Sequence, residues 1–123
     1  MEVCLEAGEI SLTFTLNQTA TAGKIWEALP FEARANTWGE EIYFSIPVEA
    51  GDEAPQELVA AGDVAYWPPG RALCLFYGPT PVSAPGEIRP YSPVTVVGKV
   101  LGDPKVLQAI GDGMRVRLRR ASG

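Results

Sequence analysis

Ile10, Leu12, Phe14 and Leu16 alternate strictly with Ser11, Thr13 and Thr15. A period of two sends one set of side chains to each face of an extended segment, so this stretch predicts a half-buried strand. Val3 and Leu5 alternate in the same way with Glu2, Cys4 and Glu6, and Ala7-Gly8-Glu9 between the runs predicts an opening hairpin. Similar short runs recur along the chain, and each is cut by glycine or proline. Thirteen glycines and eleven prolines make up about a fifth of the 123 residues, against ~12% in an average protein. A chain that turns so often does not build a helical bundle; it builds short strands joined by tight turns.

The later segments follow the same logic. Thr21–Leu29 is predicted as a short helix, with Ala22, Ile25, Trp26 and Leu29 on one stripe and Pro30 as its stop. Phe31, Ala33 and Ala35 alternate with Glu32, Arg34 and Asn36 up to a Trp38-Gly39-Glu40 turn. The next strand is Glu41–Ile46, with Ile42, Phe44 and Ile46 on one face and Glu41, Tyr43 and Ser45 on the other. Glu49–Pro55 is an acidic loop and Gln56–Ala60 is ambiguous. Val64–Trp67 and Ala72–Tyr77 are aromatic-rich strands on either side of Pro68-Pro69-Gly70-Arg71. In that turn the prolines donate no ladder hydrogen bond, and the glycine permits a positive φ. Gly78–Pro93, with five prolines, reads as a long surface loop, and such loops are often functional. Val94–Val100 is strand-like. Asp103-Pro104 is expected to open a second helix, with Val106, Leu107 and Ile110 facing inward and Gly111 ending it. Met114, Val116 and Leu118 alternate with Arg115, Arg117 and Arg119 in a final strand. About eight strands and two helices in one domain spanning residues 1–123 predict a closed barrel, which removes free sheet edges, with the helices over its mouths.

Composition narrows the chemistry. The chain has no histidine, so imidazole-based triads and the common zinc sites are excluded. Ten basic residues against fifteen acidic ones give a net charge of −5, which argues against a nucleic-acid partner. The longest apolar run, Ala72–Tyr77, is far shorter than the ~20 residues of a membrane helix. Met1-Glu2-Val3-Cys4 shows no basic stretch before an apolar run, so no signal peptide and a cytoplasmic location are expected. Cys4 and Cys74 match no metal motif and are expected as buried free thiols. No metal and no cofactor are expected.

Three stretches carry a resemblance. They are Asn36–Phe44 (NTWGEEIYF), Gly62–Gly70 (GDVAYWPPG) and Ala72–Gly78 (ALCLFYG), with Ser92–Lys99 fitting as well. Together they resemble the cyclophilin-like family of small prokaryotic proteins of unknown function, over roughly Leu16 to Val100. The resemblance implies a mainly β protein, a closed eight-stranded cyclophilin-like barrel with two short capping helices. It implies no activity, and the sequence motifs of true peptidyl-prolyl isomerases are absent.

The candidate site residues are Arg34, Glu41, Tyr43, Trp67, Arg71 and Phe76. Tyr43, Trp67 and Phe76 are candidates for an apolar slot, because aromatic residues suit ligand pockets. Arg34, flanked by small alanines, is the candidate cationic donor for twisting an Xaa-Pro amide. Glu41 becomes a base if it faces an apolar cavity, since burial raises a carboxyl pKa. Arg71 is a candidate for holding an anion at the barrel mouth. The reading favoured by these residues is a binding domain for a small molecule or short peptide without established catalysis. The alternatives are a prolyl isomerase, and an accessory subunit of an amide-hydrolysing system by analogy of fold.

Overall fold

A computed structural model describes residues 1–121. In chain order the elements are β1 (Glu2–Ala7), β2 (Ile10–Leu16), α1 (Ala20–Ala28), β3 (Phe31–Arg34), β4 (Asn36–Thr37), β5 (Glu41–Ser45), β6 (Asp63–Trp67), β7 (Ala72–Phe76), β8 (Thr95–Val100) and β9 (Arg115–Arg120). Two 3-10 turns, Pro68–Gly70 and Pro104–Ala109, complete the set. The strands form one antiparallel sheet in the order β3-β9-β1-β2-β8-β6-β7-β5-β4.

The two ends of that order, β3 and β4, are neighbours in the chain and separated by Ala35 alone. β3 pairs with β9 and β4 pairs with β5. One stretch of chain therefore links the two sheet edges and leaves a nearly closed barrel. The expected eight strands become nine because the run from Phe31 breaks at Ala35, where the chain changes partner. Ala35 N donates to the Met114 carbonyl, and its own carbonyl accepts from Gly113 N. The alternation of side chains continues through the break, so the sequence shows no sign of it.

Every inner face packs into a single core that includes Leu5, Phe14, Phe44, Tyr66, Leu75 and Leu118. β7 is buried along its whole length. Its Leu73 and Leu75 face this core, whereas Ala72, Cys74 and Phe76 belong to a second, smaller cluster on the outside of the sheet. The unbroken apolar run of the sequence is thus a strand covered on both faces. The outer cover is supplied by the loop segments around Val59, Ile88 and Val94, with Gln56 bridging Val94 and Val59 bridging Ile88. Those isolated bridges are what the ambiguous Gln56–Ala60 segment forms.

α1 starts one residue earlier than expected. Thr19 caps it by accepting from Ala22 N at 3.1 Å. The Glu53 carboxylate, from the distant acidic loop, accepts from Ala20 N and Thr21 N at 2.9 Å each and from the Thr21 hydroxyl. These bonds to backbone N–H groups of Thr21 and Ala20 hold the Glu53 pKa below its ordinary value. A depressed pKa contributes stability that is present above the unfolded-state value and is lost as pH falls through the folded one. Glu53→Gln is therefore expected to lower the urea midpoint at pH 7 and to lose that deficit under acid conditions. An equal deficit at both pH values would assign the effect to packing instead.

The second helix is a correction. Pro104–Ala109 is a 3-10 turn, capped by Asp103 accepting from Lys105 N at 3.0 Å. Residues three apart eclipse in such a turn, so Leu107 and Ile110 are both buried while Val106 lies 38% exposed rather than inward. The Pro-Pro-Gly turn differs too. The positive φ, 47°, falls on Arg71 and not on Gly70. Gly70 is needed for a different reason: a Cβ there would lie 2.6 Å from the Trp67 ring.

Candidate functional site

The outer faces of β5, β7 and β6 bring together side chains that the barrel core does not use. The register sets Tyr43 and Ala65 on either side of Cys74, Glu41 beside Phe76, and Trp67 beside Ala72. Alanines at 65 and 72 keep this face low next to the bulky Tyr43 and Trp67. A cavity of about 270 Å³ opens over it. Its floor is Glu41 and Cys74, its walls are Tyr43, Trp67, Trp38 and Tyr91, and Pro90 and Val94 complete it from the long loop.

The aromatic walls are fixed by their neighbours. Trp67 Nε1 donates to Ser92 Oγ at 2.6 Å. Tyr91 makes a T-shaped pair with each tryptophan, its ring centroid 5.9 Å from Trp38 at 67° and 5.9 Å from Trp67 at 86°. Such T-shaped pairs are favourable because a positive ring edge meets a negative ring face. The loop carrying Tyr91 is itself braced. Thr80 Oγ1 donates to the Arg89 carbonyl, and Arg89 pairs with Glu87 at 2.8 Å.

Glu41 is only 6% exposed. Burial pushes its pKa from 4.5 up to about 7, and the Cys74 thiol hydrogen bond offsets part of that rise. Burial pushes Cys74 well above its ordinary value, and the nearby Glu41 charge acts in the same direction. Cys74 therefore stays a thiol, a donor to the carboxyl rather than a nucleophile. Cys4 is also free and buried. Among the described residues no cluster of His, Cys, Asp or Glu is arranged to hold a metal.

Of the six candidates from sequence, Glu41, Tyr43 and Trp67 meet at this cavity. Phe76 does not line it. It is fully buried beneath, in the small cluster with Ala65 and Cys74. Arg34 also lies off the cavity, where its Nη1 donates to the Gly113 carbonyl at 3.0 Å. Arg71 is exposed and sits 3.5 Å from Glu49. Three of the β9 arginines pair with acids, Arg115 with Glu32, Arg119 with Glu6 and Arg120 with Glu27. Trp38, Cys74, Pro90, Tyr91 and Val94 are the lining residues that the sequence left out of the site. Cys74 had a signal, since Ala72, Cys74 and Phe76 share the face of β7 away from Leu73 and Leu75. Pro90 and Tyr91 had only the general signal of a long proline-rich loop, which says nothing about where the loop lies, and Val94 read as the start of the strand after it.

Comparison with known proteins fits this architecture. A family profile described as cyclophilin-like matches residues 1–119. The chain belongs to the cyclophilin-like family. Among solved structures, this cyclophilin-like chain is similar to the solution structure of a hypothetical protein from Archaeoglobus fulgidus. The two are 38% identical with a TM-score of 0.84, over 98% of this chain and 95% of that one. No curated protein sequence matches the cyclophilin-like chain. Among its described residues no helix is long and apolar enough to cross a membrane.

Proposed function

We propose that this cyclophilin-like protein is a binding module that holds a small molecule or a short peptide segment in the cavity outside β5, β7 and β6. The observation that carries this reading is the aromatic box itself. Four aromatic side chains surround an open volume instead of collapsing into it, and the ring positions are held by the Ser92 hydrogen bond and the two edge-to-face pairs. A preformed, mostly apolar concavity with one oriented polar group is the usual form of a small-ligand site. The volume suits a compact ligand or one or two peptide residues. The isomerase alternative needs a cationic donor beside the proline slot, and Arg34 is bound to the Gly113 carbonyl away from the cavity. Nothing at the site favours that reading over binding.

A library of small metabolites and Xaa-Pro peptides, screened against the purified protein, tests the proposal. A ligand at a hundredfold excess over its Kd stabilises the native state by about 2.7 kcal/mol. Hits are expected to raise Tm and to move the indole N–H signals of Trp38 and Trp67, and Arg34→Ala is expected to bind them as the parent does. Saturating compounds that leave both Tm and the indole signals unchanged would remove the binding reading.

A further inference from the structure

We infer that the occupant of this cavity is a small organic cation, an alkylated ammonium held against the faces of Trp38, Tyr43, Trp67 and Tyr91 and neutralised by the Glu41 carboxylate. The inference rests on the binding reading above and adds the chemical class of the ligand.

Three observations lead to it. The first is the lining. Aromatic faces carry negative potential and attract cations lying within about 6 Å of the ring centroid. Here four such rings surround one space. The second is the charge inventory. Among the described residues, Glu41 is the sole ionisable carboxyl in the lining, and no lysine or arginine lines the cavity to balance it. Phe76 lies opposite Glu41 on β7, Cys74 is hydrogen-bonded to it, Tyr43 shares its face of β5, and Trp38 and Tyr91 share the lining, none of them cationic. A buried carboxylate without a counter-charge is costly, so at neutral pH a bound cation supplies what the protein omits. An anionic ligand would meet that carboxyl with no basic partner at all, in a chain of net charge −5.

The third is the shortage of hydrogen-bond acceptors. A guanidinium brings five N–H donors and a primary ammonium brings three. The cavity is walled by rings, Pro90 and Val94, and its oxygen acceptors on side chains are the Glu41 carboxyl and the phenol oxygens of Tyr43 and Tyr91. A head group with few or no N–H bonds leaves no donor unsatisfied there, which selects methylated or otherwise alkylated ammonium over arginine-like or lysine-like groups.

The test is an NMR titration with choline chloride and tetramethylammonium chloride against 3,3-dimethylbutan-1-ol, the neutral carbon isostere of choline. The indole signals of Trp38 and Trp67 report the site. Trp26, which lies beneath Arg120 with 4.6 Å between guanidinium carbon and ring centroid, is the internal control. Choline is expected to saturate the site at least ~tenfold more tightly than the neutral alcohol. Its affinity is expected to rise between pH 6 and pH 8 as Glu41 ionises. Glu41→Gln is expected to weaken choline by about tenfold and to abolish the pH dependence. Tyr91→Ala is expected to weaken it with the fold intact, because Tyr91 is 73% exposed. Nα-acetyl-trimethyllysine amide, run beside choline, separates a free small cation from one carried on a peptide. The alcohol binding as well as choline would overturn the cation inference. So would cations that leave the indoles unmoved while other library compounds move them, and in that case the binding reading survives. If nothing in either experiment reaches the site, both readings fall together.

Discussion

At pH 8, Glu41→Gln is expected to be more stable than the parent protein, and at pH 4 the two are expected to unfold at nearly the same urea concentration. The carboxyl has a pKa of 4.5 in an unfolded chain and about 7 in the folded one, because folding removes it from water. A raised pKa means the native state holds its proton more tightly than the unfolded state does. Stability is then greatest below 4.5, declines between 4.5 and 7, and levels off above. The interval corresponds to about 3 kcal/mol at its alkaline end. Glutamine keeps the shape without the charge and is free of that penalty. Unfolding curves at pH 4, 6 and 8 measure the difference directly, and a gap that does not widen with pH would mean that Glu41 ionises freely in the native state. A side chain that weakens the fold at neutral pH, yet points into a cavity, is a candidate for retention by function rather than by stability.

Gly98→Ala is expected to lose at least ~3 kcal/mol, or to fail to fold. Gly98 lies on β8, opposite Leu16 of β2 and Val64 of β6. A Cβ at this position would run into the Thr15 carbonyl, with its carbon 2.9 Å away and Leu16 Cα at 3.3 Å. These are backbone atoms, held by the β2–β8 ladder, and they cannot swing aside as the end of a side chain can. Relief requires β2 and β8 to separate, which opens the barrel between two of its inner strands. Gly23→Ala is the matched control. It sits in α1 with nothing within 4 Å of its would-be Cβ, so it is expected to gain ~0.5–1 kcal/mol from helix propensity. Thermal and urea unfolding of the pair would decide the point, and a Gly98→Ala protein within ~1 kcal/mol of the parent would show that β2 yields.

How far the sequence was readable depends on the range of the interactions. Strand faces follow from alternation, so Ile42 and Phe44 inward against Glu41 and Tyr43 outward could be read locally. Partner choice is not local, which is why the break at Ala35 left no trace. The 3-10 turn at Pro104–Ala109 had helical caps and helical composition. Only the packing of Leu107 and Ile110, three apart, reveals the tighter winding. At the site, Tyr43, Trp67 and Glu41 all line the cavity, but alternation alone left open whether Glu41 met an apolar space or solvent; its burial, and with it the raised pKa, depends on the loop that covers the strand. Arg34 stood out because of its small neighbours, but Ala35 is small because it is buried where the chain changes partner. Tyr91 enters from a loop whose course no periodicity describes.

The barrel is a hoop fastened by a clasp. Its ring is held shut by four residues of β3 on one side and two of β4 on the other. The shorter arm is the weaker, so the earliest amide exchange is expected at Asn36 and Thr37, ahead of the longer β1–β2 ladder. Releasing that arm bares the edge of β5, the strand that carries Glu41 and Tyr43, and Trp38 follows the arm directly in the chain. A ligand seated among these three residues would fasten the clasp, and so slow the first opening of the whole ring.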